Sequence, residues 1–127
     1  MSVNGLILVS IAATLTMAAN LLMRLGIVRA GGFGGENPAQ IVASLGRLAL
    51  QVPFDIGVVL YALASIVWFR VIATEPLSIA YPVLVSLTFV AVTAGALIFF
   101  DESLDTRKIA GMLLIIVGIY LVSQGPA

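Results

Sequence analysis

The sequence predicts an all-α integral membrane protein: four transmembrane helices and one short amphipathic interfacial helix between the first two. Three observations predict it. Of 127 residues, 61% are hydrophobic and 9% charged, against about 25% charged in ordinary soluble domains. Six basic and six acidic side chains cannot make a water-facing surface for a chain of this size, whereas lipid-facing residues should be apolar. The apolar residues also fall into long runs divided by Gly, Pro and charge clusters. At roughly 20 residues per span, four spans would use about two thirds of the chain, so 1–127 reads as one domain.

The first apolar run covers about 3–28. No basic residue precedes it, and it is longer than a signal-peptide core, so it reads as a span. Gly31, Gly32, Gly34 and Gly35 break it after Arg29. A second helix is expected over about 38–50, with Asn37 as N-cap and Pro38 at the first helical position. Ile41, Val42, Leu45, Leu48 and Ala49 recur at three- and four-residue spacing. The segment is too short to cross a bilayer and reads as a helix lying in the interface, with a lengthened entry to the next span as the alternative.

Pro53 and Asp55 introduce the next span, about 54–73, which carries Trp68 and Arg70 towards its far end. Thr74-Glu75-Pro76 forms a tight turn, because proline cannot continue the preceding helix. The third span, about 77–100, contains Pro82, which frees a carbonyl one turn earlier and is expected to bend the helix. The polar stretch Asp101 to Lys108 is a compact loop. The fourth span, about 109–122, ends at Ser123, Gln124, Gly125 and Pro126.

Charge and composition exclude several functions. Net charge is zero and the pI is near 6.1, so nothing points to nucleic acid. The chain has no Cys and no His, which excludes disulfides, thiolate chemistry, Cys/His metal sites and a histidine proton relay. No phosphate-cradling glycine motif, nucleophile elbow or zincin motif occurs. The expectation is a protein that is not an enzyme and uses no cofactor or metal. With the first and third loops on one side of the membrane, that side holds Arg24, Arg29, Arg47, Arg107 and Lys108, and the other holds Arg70. The positive-inside rule then places both termini outside the cytoplasm.

Polar side chains within the spans are the candidates for function, because they are costly there. Thr16, Asn20 and Arg24 are spaced by four and share one helix face. Ser10, Thr14 and Thr16 can bond their own helix's carbonyls. The Asn20 carboxamide is expected to find no partner on its own backbone, and so to face protein or a wet cavity. Arg24 can snorkel to the interface, or pair with a phosphate through its planar fork. Ser78, Tyr81, Pro82, Ser86, Thr88 and Thr93 make a polar, broken stretch in the third span. Tyr81 offers a ring with a hydroxyl tip, and Trp68 is either a belt residue or a cavity wall. Ser86 and Thr93 are read as packing residues. Gly111 and Gly118, seven apart, leave a smooth strip where a second helix can approach, and so mark a dimer interface. None of the spans holds an Asp or Glu away from its ends, which argues against proton-coupled export of cations.

The run Glu75-Pro76-Leu77-Ser78-Ile79-Ala80-Tyr81-Pro82-Val83-Leu84, then Asp101-Glu102-Ser103-Leu104, then Gly111 to Gly118, resembles the small multidrug resistance (EmrE-like) superfamily. It is most similar to the ArnE/ArnF branch, whose members are aminoarabinose-lipid flippase subunits. The resemblance covers about 55–123 well and the first span more weakly, where Asn20-Leu21-Leu22-Met23-Arg24 is similar to that branch's Gln-Leu-x-x-Lys. In the drug-exporting branch a glutamate stands eight residues before the basic residue of the first span; here that position is Thr16. The segment 31–52 is also longer than in the drug exporters.

The resemblance implies a subunit that flips a polyprenyl-phosphate-linked sugar or similar glycolipid across the bacterial inner membrane. It also implies a homodimer, or a heterodimer with a paralogous subunit, parallel or antiparallel. Asn20, Arg24, Trp68 and Tyr81 would bind the substrate and Pro82 would break the third span. A multidrug-type exporter of small solutes or cations, and a non-transporting accessory subunit, stand as alternatives.

Overall fold

A computed structural model describes residues 1–124, apart from the side chain of Ser123. Gly125 and Pro126, expected to end the last span, lie outside the described residues. Five α-helices follow in order: α1 Val3–Arg29, α2 Pro38–Ala49, α3 Val52–Thr74, α4 Leu77–Phe99 and α5 Thr106–Ser123. Three of them, α1, α3 and α4, are long and apolar enough to cross a membrane among the described residues. The chain is a multi-pass, all-helical membrane protein. Its surface carries what only lipid or another apolar partner can cover, including Phe69, Ile98, Leu114, Tyr120 and Leu121, each more than 60% exposed.

The helix ends follow from local chemistry. Ser2 caps α1 by accepting from the Gly5 amide at 3.0 Å. The helix stops where Gly31 and Gly32 turn to φ +87° and +108°, a conformation open to glycine at little cost. The Gly32 amide then donates back to the Ile27 carbonyl at 2.9 Å. Asn37 caps α2 by accepting from the Gln40 amide at 2.9 Å, with Pro38 in the first turn. Asp105 caps α5 through the Lys108 amide at 2.8 Å. That cap explains why α5 begins at Thr106, three residues before the expected start: Thr106, Arg107 and Lys108 form its first turn rather than a loop. α4 stays helical through Pro82, so the expected break is a missing hydrogen bond rather than an end to the helix.

α1 is the organising helix. It runs antiparallel to α3, with Gly5 beside Glu75 at one end and Gly26 beside Phe54 at the other. A Cβ on Gly26 would come within 2.8 Å of the Phe54 backbone nitrogen, and one on Gly57 within 2.8 Å of the Ala19 carbonyl oxygen. The two backbones approach as closely as side chains allow, the usual means of gaining dispersion contact between helices in lipid. α4 packs on α1 through Gly95, which lies against Leu21. α3 and α4, though joined by a two-residue turn, touch each other little. α5 packs on α4. The fully buried cluster is small, Val9, Val71 and Ala80, with Leu8, Trp68, Val83 and Leu84 against it.

At the α3–α4 turn, the Glu75 carboxylate accepts from the Ser2 hydroxyl and, at 3.4 Å, from the Ser2 amide. This fastens the turn to the α1 N-terminus, where a carboxylate also complements the helix dipole. α2 folds back on the glycine loop: the buried Ser44 hydroxyl donates to the Gly34 carbonyl at 2.6 Å and accepts from Arg47 at 3.1 Å.

Candidate functional site

Because α3 and α4 diverge from their shared turn with α1 between them, a cavity of about 540 Å³ opens among the three helices. α1 supplies Ala12, Thr16 and Asn20, one residue per turn on one face. α3 supplies Tyr61, Ala64, Ser65 and Trp68, again a single face. α4 supplies Tyr81, Leu84, Val85, Thr88, Phe89, Val92 and Thr93. The Trp68 and Tyr81 rings lie 6.1 Å apart and are tilted by 57°, between the stacked and edge-to-face arrangements and within the distance range of aromatic pairs. The cavity is open to one side of the chain, since Tyr61 and Tyr81 are 49% and 55% exposed.

Its hydrogen-bonding capacity is partly spent. The Thr16 hydroxyl donates to the Ala12 carbonyl at 2.7 Å, and Ser65 to the Tyr61 carbonyl at 3.0 Å. Outside the cavity, Ser10 and Thr14 bond the Leu6 and Ser10 carbonyls in the same way. Asn20 departs from expectation: its amide nitrogen donates to the Thr16 carbonyl at 2.9 Å. The carboxamide does find a partner on its own helix, because at this position its arm reaches back one turn. That bond uses one of its two N–H groups. The Thr88 hydroxyl is buried and has no hydrogen-bond partner among the described residues.

The structure thus brings Asn20, Trp68 and Tyr81 together on one cavity, and leaves Arg24 off it. Arg24 lies one turn beyond Asn20, about 6 Å along the helix axis. Its guanidinium is 3.6 Å from the Glu102 carboxylate and 5.5 Å from the centre of the Phe100 ring. Both Arg24 and Glu102 side chains are about half exposed, at 56% and 44%, so the pair contributes little to stability. Phe100 also lines a separate apolar groove with Met17, Leu21, Leu22 and Leu25. Arg24 therefore stands between the polar cavity face of α1 and an apolar groove.

Pro82 follows Tyr81 directly, at the cavity wall; it has no N–H to give the Ser78 carbonyl. Gly111 and Gly118 face open space: among the described residues, nothing beyond their own stretch of helix lies within 4 Å of where a Cβ would stand. Thr93, read from the sequence as a packing residue, lines the cavity, while Ser86 does not. Tyr61 and Ser65 were not anticipated. Their spacing with Trp68, four and then three residues, carried the signal.

The family described as "Putative transmembrane family 234" matches residues 6–123. A protein of Erwinia tasmaniensis, named as a probable 4-amino-4-deoxy-L-arabinose-phosphoundecaprenol flippase subunit ArnE, is 37% identical over 79 residues, covering 62% of this chain and 72% of that one. A Proteus mirabilis protein named as the corresponding subunit ArnF is 36% identical over 70 residues, 54% of this chain and 53% of its own. A Yersinia pseudotuberculosis ArnE is 43% identical over 68 residues, 54% of this chain and 59% of its own. In these last two the match spans little more than half of the relative's length. No solved structure matches the chain.

Proposed function

We propose, from the premise that the chain belongs to transmembrane family 234, that it is one subunit of a flippase for polyprenyl-phosphate-linked sugars in the bacterial inner membrane. The observation that carries this reading is the cavity among α1, α3 and α4. Polar and aromatic side chains from three apolar helices converge on it, at a depth where polar groups are expensive. The relatives named as flippase subunits ArnE and ArnF support the same reading.

In this account the headgroup enters the cavity from its open side and meets Asn20, Trp68 and Tyr81. Arg24, one turn further on, takes the lipid phosphate with its two parallel N–H donors, displacing Glu102. The prenyl chain stays in the bilayer. Pro82 supplies a weak point in α4 where the helix can flex between states. α5 completes the set as a fourth span: 18 residues rise about 27 Å, close to the thickness of the hydrocarbon core. α2, too short to cross, lies in the interface with Ile41, Val42 and Leu45 towards the acyl chains. Gly111 and Gly118, open on α5, receive the same strip of a second copy or of a paralogous subunit.

A cation exporter of the multidrug type fits less well, because no carboxylate lines the cavity. The test is a flipping assay in proteoliposomes with a labelled prenyl-phosphate sugar. Asn20→Ala and Arg24→Ala are each expected to slow translocation at least tenfold. Unchanged transport in both variants would sink the site assignment.

A further inference from the structure

We infer that the cavity selects an uncharged, hydroxyl-bearing sugar ring and discriminates against a headgroup that carries an ammonium. The inference rests on the flippase reading above and narrows its substrate class. It departs from the aminosugar in the relatives' names.

The first observation is electrostatic. The chain has twelve charged side chains, and none lines the cavity. All six carboxylates sit elsewhere, among them Glu75 at the α3–α4 turn against Ser2, Glu102 beside Arg24, and Asp105 on the α5 N-terminus. An ammonium moved into this space would exchange water for neutral dipoles with no counter-charge on the cavity wall, the lipid's own phosphate being taken by Arg24, and membrane interiors penalise such a charge. The aromatic pair does not replace the missing anion. Trp68 and Tyr81 pack on one another at 6.1 Å, so an ammonium can reach an outer ring face only, and a cation–π contact there is weaker than an ion pair with a carboxylate.

The second observation is the unspent hydrogen-bonding capacity. Thr16 and Ser65 have given their protons to their own helix and can only accept. Asn20 keeps one N–H and its carbonyl oxygen after bonding the Thr16 carbonyl. The Thr88 hydroxyl is buried and unpartnered among the described residues, a state that calls for a partner. The set mixes donors and acceptors without charge. A sugar hydroxyl, which donates and accepts, can pair with both kinds; an ammonium, which only donates, leaves the free Asn20 N–H without an acceptor. The apolar face of a sugar ring can also lie on the Trp68 or Tyr81 ring.

The test compares two lipids in proteoliposomes of the full chain at neutral pH, where the aminosugar is protonated. One probe is a prenyl phosphate bearing neutral arabinose. The other is the same prenyl phosphate bearing 4-amino-4-deoxyarabinose. The neutral lipid is expected to translocate at least tenfold faster. Equal rates, or faster aminosugar transport, overturn the inference and leave the flippase reading standing; if neither lipid moves, the ratio of their equilibrium affinities for the chain decides the inference in the same way, and binding of neither overturns both. Thr16→Glu, and independently Ser65→Asp, should shift the rate ratio at least tenfold towards the aminosugar lipid. An unchanged ratio in whichever variants remain monodisperse means that the cavity does not set the preference, and overturns the inference.

Discussion

Gly57 and Ala19 meet backbone against side-chain space: a Cβ on Gly57 would lie 2.8 Å from the Ala19 carbonyl oxygen, 2.7 Å from Met23 Cγ and 3.0 Å from the Met23 nitrogen. Backbone atoms cannot step aside as a flexible side chain can. Gly57→Ala is expected to push α1 and α3 apart and destabilise the protein by about 1–3 kcal/mol, as overpacking does elsewhere. Thermal unfolding in detergent should show a clear fall in Tm. Gly46→Ala, on α2 with nothing within 4 Å, should leave Tm unchanged or raise it, since alanine favours a helix over glycine by about 1 kcal/mol.

Gly118 offers the opposite case. It has open space around it within the chain, so Gly118→Leu should not disturb the fold of one copy. If α5 carries the intersubunit contact, the same change blocks close approach of a second helix. Native mass spectrometry of the wild type should show a dimer, and of Gly118→Leu mostly monomer with unchanged helicity. A variant that remains fully dimeric would remove Gly118 from the interface.

The Arg24–Glu102 pair predicts an asymmetry. The carboxylate occupies the guanidinium that the account assigns to phosphate. Glu102→Gln is therefore expected to tighten binding of a prenyl phosphate by up to about 5-fold, in line with loss of an exposed ion pair worth up to about 1 kcal/mol. Arg24→Ala should weaken it. Stability should change little in either variant. Equilibrium binding in nanodiscs with and without added prenyl phosphate reads both outcomes.

Pro82→Ala restores an N–H to α4 and with it a partner for the Ser78 carbonyl. The expected result is a more stable protein and slower flipping, because the flexible point in the cavity wall is lost. Faster or unchanged transport would mean that Pro82 is not where α4 flexes.

The sequence reveals helices more readily than contacts. Apolar runs, the Asn37-Pro38 start and the glycine stop after Arg29 are local signals, and they mark α1 to α4 to within a few residues. α5 begins earlier than expected because a charged first turn, Thr106 to Lys108, is capped by Asp105, and charge alone suggests loop. Asn20, Trp68 and Tyr81 stood out because polar and amphipathic groups are costly within a span, and the fold places them on one cavity. Tyr61 and Ser65 escaped notice because a serine bonded to its own helix carries no visible cost. The direction of Arg24 depends on where the Glu102 loop comes to rest, a long-range fact that no local pattern encodes.

The central claim is that the space among α1, α3 and α4 receives a lipid headgroup. The absence of cysteine permits a direct test with single-cysteine variants of two serines. Ser65→Cys places a thiol on the cavity wall; Ser10→Cys places one on a part of α1 away from it. A small water-soluble maleimide is expected to label the first, a prenyl-phosphate sugar to slow this labelling several-fold, and the second to be unaffected by the lipid. Labelling of Ser65→Cys at the same rate with and without the lipid would contradict the claim.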